Sequence, residues 1–335
     1  TPIEDIAPAD DLGKLKEVVH PSILEIGTYE GKLWAIPKWT QAYALFVNNQ
    51  HLEEAGIDPA KAPATTAELD ALAEQLYQRA GDGTIQRIGF HPGTWYFNYW
   101  GRFQGQYVNY NGEPTATHDN NVACIAWMAS YSEKYDPTKV SDFQTAVGGS
   151  DATNPFLTGM YSIAQEGPWR LGDIYEFKND LAYTIWPLPR PENVEGKGMS
   201  TGGDIPVIPV GVKHPDASYR WARYLIGVDN PEVYSTLWTV GLRPHMPISE
   251  EVARGPAFQK VYEMFPGFDV FVDDFFGADW WAPPAKVPVA EFYSDRLNSN
   301  VQQAMLLQVT PEQALETTQK EVSDELTKWL DAHKG

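Results

Sequence analysis

Residues 31–49, Gly-Lys-Leu-Trp-Ala-Ile-Pro-Lys-Trp-Thr-Gln-Ala-Tyr-Ala-Leu-Phe-Val-Asn-Asn, constrain the chain more than any other stretch. Ala44 to Val47 is a short apolar run that ends in two turn-favouring asparagines, the pattern of a buried strand. Pro37 stiffens the approach to it, and Trp39, Gln41 and Tyr43 set bulky or polar groups just before it. A buried strand entered through aromatic and amide side chains marks the mouth of a site.

Length and charge narrow what such a site can serve. A chain of 335 residues suggests about two domains. The net charge of −20 opposes nucleic acid and anionic lipid surfaces. The single Cys124 excludes an intrachain disulfide and a multi-cysteine metal site. No apolar run approaches the roughly 20 residues of a membrane span. Twelve Trp, 17 Tyr and 14 Phe are mostly core, yet the excess matters because flat rings are surfaces on which sugar rings stack.

Several further segments carry recognisable local signals. Thr65-Thr-Ala-Glu68 is a capping box, and Leu69, Leu72, Ala73 and Leu76 follow at helical spacing, with Gly81 as the expected stop. Ile88 to Trp100 leaves a strand as an aromatic-dense loop, which reads equally as a core corner or a ligand platform. Asn111-Gly112 is a hairpin turn signal. A helix is expected from about Asp119 to Lys134. Met160 to Ala164 is a strand, and Glu166-Gly-Pro-Trp-Arg170 follows, with Pro168 at the first helical position and free N–H groups behind it. Two helices, Asp216 to Gly227 and Asn230 to Gly241, are expected to bury Trp221 with Leu225, and Val233 with Leu237 and Trp238. Thr310-Pro-Glu-Gln313 opens a terminal helix with Leu315, Val322, Leu326 and Leu330 inward.

The order of these pieces resembles the maltose-binding type of bacterial extracellular solute-binding protein, which serves sugar ABC transporters. Residues 31–69 match its hinge strand and following helix, and the strand, Gly-Pro-Trp and helix around Trp169 match nearly letter for letter. Thr201-Gly-Gly-Asp-Ile-Pro-Val-Ile208 resembles its second crossing between lobes, and Gly241-Leu-Arg-Pro-His-Met-Pro247 its third. The resemblance implies an α/β, two-lobed, periplasmic-binding-protein-like fold of type II, with a cleft between lobes and several hinge crossings. The first lobe would comprise residues 1–42 and 203–247, and the second 43–202 and 248–335. Family members carry several strand–helix units before the hinge, so the N-terminal part of the first lobe is expected to be missing here.

The implied function is capture of a mono- or oligosaccharide in the cleft, closure by hinge motion at Trp39–Ala44 and the later crossings, and delivery to permease subunits in the membrane. The protein would be a periplasmic or extracellular monomer, or one lipid-anchored to the cell membrane, and no cofactor, metal or nucleic acid is expected. In this reading the ligand stacks on Trp169 and on Trp95 or Tyr96. Trp39, Gln41, Tyr43, Gly203, Asp204 and Arg243 come from the crossings, and Trp281 is a further cleft aromatic beside Trp280 and Phe292.

No catalytic residue is assigned. Phosphate loops, His-Glu-x-x-His and nucleophile elbows are all missing from the sequence. A carbohydrate-active enzyme would need paired carboxylates, and Glu166 with Asp204 is the one pair that can be placed near the cleft. A polyol or glycerol phosphate is an alternative ligand, but a phosphate calls for several cations and only Lys38, Arg170 and Arg243 are at hand.

Overall fold

A computed structural model describes residues 1–93, 95–109, 111–147, 151–282 and 285–333. Its organising element is the strand read from the sequence, β1 (Ala44–Asn48), buried along its whole length. In chain order the other elements that place the site are α1 (Thr66–Leu76), α2 (Asp119–Tyr135), β2 (Ile163–Glu166), α3 (Trp169–Phe177), β3 (Tyr183–Pro187), α4 (Pro215–Leu225), α5 (Pro231–Val240), α6 (Phe268–Phe276), α7 (Ala290–Met305) and α8 (Pro311–Ala332).

β1 lies between β2 and β3 and is antiparallel to both. Its alternating side chains therefore feed two cores. Leu45 and Val47 enter one core with Leu69 of α1, Ile125 of α2, Leu297 of α7 and Val322 of α8. Ala44 and Phe46 enter the other with Leu15, Ile23, Tyr219, Tyr234 and the phenylalanines of α6. Ile88 continues the sheet beyond β2, with the Ser162 amide donating to its carbonyl at 2.9 Å. The register sets Ala44 beside both Glu166 and Pro187, so the start of β1 meets the carboxyl ends of its neighbours. Ligands of open α/β sheets collect at such ends.

Both capping boxes form. Thr65 accepts from the Glu68 amide and Glu68 reaches back to the Thr65 amide, and Thr310 and Gln313 repeat the arrangement. Thr65→Ala is expected to cost about 1 kcal/mol of stability, read from urea unfolding midpoints. α1 stops at Leu76 rather than running on to Gly81. The buried Arg87 donates to the Leu76 carbonyl at 3.3 Å and caps the helix there, and Gln78–Arg79 then pairs with Ile85–Arg87. At the expected turn the Asn109 amide donates to the Glu113 carbonyl and the Gly112 amide to the Asn109 carbonyl, each at 3.0 Å, with Gly112 at φ 78°.

The packing of α4 and α5 differs from the expectation. Trp221 is 61% exposed, Leu237 48% and Val233 39%, while Leu225 and Trp238 are half-buried. The inward face of α4 is carried by Tyr219, Ala222 and Arg223, and that of α5 by Tyr234 and Ser235. Arg223 turns inward because Asp229 and the Asp11 carbonyl neutralise and solvate it, at 2.5 Å and 2.8 Å. At the end of α8, Leu330 is likewise exposed rather than inward.

Two polar features hold the interior. Arg102 and Asp274 form an ion pair with side chains only 3% and 2% exposed, and Lys197 stands 3.5 Å from the same carboxylate. His51 is buried beside Ser162, ring nitrogen to hydroxyl 3.0 Å. Burial, aided by the nearby Arg87 charge, pulls its pKa down to about 4. The unfolded chain, with an ordinary histidine pKa near 6.5, then binds a proton before the folded one does. Stability is full above about pH 6.5 and falls as pH drops toward 4. The melting temperature of His51→Gln is expected to fall less over that interval than that of the parent chain, measured by calorimetry.

Candidate ligand-binding site

Three segments cross near the start of β1, and backbone bonds stitch them together. The Lys38 amide donates to Asp204 at 3.0 Å, the Gln41 amide to Gly202 at 3.1 Å, and the Thr40 amide to Met246 at 3.0 Å. Gly203, at φ 148°, lies so close that a Cβ would stand 2.1 Å from the Trp39 carbonyl. The third crossing also presses on α3, where a Cβ on Gly172 would stand 1.6 Å from the Leu242 carbonyl. The glycines are therefore required by backbone approach.

An aromatic row runs across this junction. Trp95 meets Phe97 at 5.5 Å between centroids, and Phe97 meets Tyr43 at 5.9 Å. Tyr43 meets Trp169 at 5.8 Å, Trp169 meets His245 at 6.0 Å, and His245 meets Trp39 at 4.2 Å. Trp238 stacks on His245 at 4.9 Å. Most of these contacts are edge-on, the geometry favoured by ring quadrupoles. Trp169 is half-buried and leans over Gly167, where a Cβ would sit 2.1 Å from the indole. The exposed end of the row is Trp95, at 63%.

The structure sorts the sequence candidates. Tyr43, Trp95 and Trp169 join the row directly. Trp39 joins it with one face covered, because the Lys38 ammonium sits 3.9 Å over the ring. Lys38 also pairs with Asp204 at 3.1 Å, so that carboxylate braces the crossing. The Gln41 amide group lies against Gly202. Tyr96 is a correction. It is only 2% exposed, packs edge-on with Trp100 and pairs its hydroxyl with Tyr107, so it belongs to the core. Trp281 lies away from the row, tilted against His20 at 4.6 Å and near Phe275. The α3 N-terminus is also less open than expected, because the Arg170 and Leu171 amides donate to Gly167 and Pro168 at 3.1 Å.

A polar half adjoins the row. Arg170 donates to Glu166 at 2.9 Å and to Asp173 at 2.5 Å, and Asn154 donates to Glu166 at 3.3 Å. Arg243 spans Asp173 at 3.2 Å and Asp151 at 3.1 Å. Burial raises the Glu166 carboxyl above its ordinary range, opposed by Arg170 and Asn154. A cavity of about 300 Å³ opens here, lined in part by His91, Gln144, Asn154, Gln165 and Glu166. Asn98 donates to Gln165 at 2.6 Å. Trp238 was read from the sequence only as a core residue, and Phe97, Asn98, Gln165 and His245 were not singled out. The available signal was their position within, or one residue beyond, the segments that were.

Glu166 and Asp204 sit in separate ion pairs, with Arg170 and Lys38 respectively.

Comparison with known proteins adds a wider frame. A maltooligosaccharide ABC transporter solute-binding lipoprotein of Streptococcus pneumoniae strain R6 is 26% identical over 212 residues, 61% of this chain and 47% of the relative. The chain thus spans about half the length of the curated relatives it matches. The structure of CpMnBP1 with mannotriose bound superposes with a TM-score of 0.79 at 24% identity, covering 96% of this chain and 80% of that one. UgpB of Mycobacterium tuberculosis in complex with glycerophosphocholine gives 0.73 at 16% identity, covering 98% and 80%. These likenesses establish the fold as the two-lobed, type II periplasmic-binding-protein architecture, with its cleft between lobes crossed by several hinge segments. A model of bacterial extracellular solute-binding proteins matches residues 1–266, well over half of the sequence and including all three stitched crossings, and the chain belongs to that family.

Proposed function

We propose that the chain captures a carbohydrate between two lobes, residues 1–42 with 203–247 and residues 43–202 with 248–335, as the solute-binding component of an ABC importer. The observation that carries this reading is the aromatic row from Trp95 through Tyr43 and Trp169 to Trp39, which sits where the crossings meet the carboxyl ends of the strands. Indole and phenol rings supply apolar faces to sugar rings, and the adjoining amides and carboxylates supply partners for hydroxyls. Closure bends the stitched crossings, and the closed form is what membrane permease subunits recognise. The protein acts outside the cell membrane, as a monomer. The names of the relatives, which bind maltooligosaccharide and mannotriose, support a saccharide.

A binding role without turnover is favoured over a glycosidase because Glu166 and Asp204 are each spent on a cation. Thermal shift and calorimetry with malto- and manno-oligosaccharides and glycerophosphocholine test the reading. At least one saccharide is expected to raise the melting temperature, because a ligand that binds only the folded state stabilises it. If glycerophosphocholine alone does so, or no saccharide does at millimolar concentration, the reading fails.

A further inference from the structure

We propose that Asn98 and Gln165 form a subsite that grips two neighbouring hydroxyls of one neutral sugar ring, a specificity role that rests on the carbohydrate reading above. Asn98 is only 7% exposed and spends its one recorded side-chain bond on Gln165, Nδ2 to Oε1 at 2.6 Å. That bond leaves Asn98 Oδ1, an acceptor, and Gln165 Nε2, a donor, buried and without a partner among the described residues. A buried polar atom left unmatched costs about 1–3 kcal/mol, so two of them side by side point to a group that arrives from outside.

The arriving group must donate to one atom and accept from the other. A vicinal diol does both, since a hydroxyl is donor and acceptor together. A phosphate accepts only and satisfies Nε2 alone, whereas an ammonium donates only and satisfies Oδ1 alone. Charge leads to the same class. Gln165 lines the cavity with Gln144, Asn154, His91 and Glu166, and no Lys or Arg is among the described residues lining it. His91 has its pKa lowered to about 4 by burial and is neutral. Arg170, the cation paired with the lining Glu166, also serves Asp173. The cavity, about 300 Å³, is at the lower limit of small-molecule sites and takes one ring, leaving the rest of a longer ligand to lie along the aromatic row.

Calorimetry on the full chain decides the matter, with mannotriose and maltotriose as probes and a set of single-deoxy analogues of whichever binds. Gln165→Met removes the donor, and Gln165→Glu also removes it while keeping an acceptor for Asn98. Both are expected to bind the sugar at least tenfold more weakly, with the melting temperature of the unliganded chain little changed. One deoxy analogue is expected to bind the parent chain at least tenfold more weakly, yet to bind Gln165→Met no worse than the intact sugar does. If Gln165→Met fails to fold, Gln165→Glu is read in the same way. Parent-like affinity in the Gln165 variants, with binding lost in Trp169→Ala, overturns this inference and leaves the carbohydrate reading standing. Equal penalties for the deoxy analogue in parent and variant overturn it too. No binding of either sugar by the parent chain overturns both.

Discussion

Trp169→Ala is expected to weaken carbohydrate binding by about 2–3 kcal/mol, roughly 30- to 150-fold, the loss typical of a buried aromatic anchor at the centre of an interface. The indole is the middle of the row. It meets Tyr43 from the first crossing on one side and His245 from the third on the other. Its removal therefore takes away a stacking surface and separates two groups of rings that it held in line. Trp169→Phe keeps an apolar face and is expected to retain much of the affinity. Calorimetry with the tightest saccharide gives the number, and circular dichroism of the free chain shows whether the fold survives. Unchanged affinity in a folded Trp169→Ala would remove the residue from the site.

Asp274→Ala is expected to cost about 3–5 kcal/mol of stability, because it strands Arg102 as a buried charge without its partner. The effect is structural rather than functional. Arg102 follows the aromatic loop, and Asp274 sits in α6, so the pair fastens the loop's base to the second core. Lys197 cannot replace the lost partner, being a cation itself. Removing both charges, as in Arg102→Met with Asp274→Leu, is expected to recover most of the loss, since a buried pair gives back in attraction little more than it loses in hydration. Urea unfolding midpoints of the two variants and the parent chain test this. A loss under 1 kcal/mol in Asp274→Ala would show that the carboxylate is dispensable.

The sequence revealed those features whose causes are local. Thr65 and Thr310 announce their helices because a capping box is complete within four residues. Ala44 to Val47 announces a strand because an apolar run with turn signals behind it has few other solutions. The place of Trp169 at the turn from strand to helix was legible because Gly-Pro-Trp between two such elements is a compact motif. What lay beyond the sequence depended on partners far along the chain. Tyr96 and Trp95 are neighbours in an aromatic run, and only the placement of Trp100 and Tyr107 decides which of them is buried. Trp221 looked like a core residue until Arg223, two positions on, found Asp229 and the Asp11 carbonyl and took the inward face instead. His245 and Asn98 gave no sign in isolation. Each gains meaning from a residue on another segment, Trp169 for one and Gln165 for the other.

The bonding among the three crossings has a mechanical consequence. Separate tethers would let the halves slide and roll in many directions. Tethers joined rung to rung at Lys38, Thr40 and Gln41 behave as a single ribbon, which bends readily across its flat side and resists shear along its length. Such a pivot has essentially one stroke. If the chain closes on a ligand as proposed above, one stroke implies one outer contour at its end, and a receiving protein would need to recognise that single shape rather than each cargo.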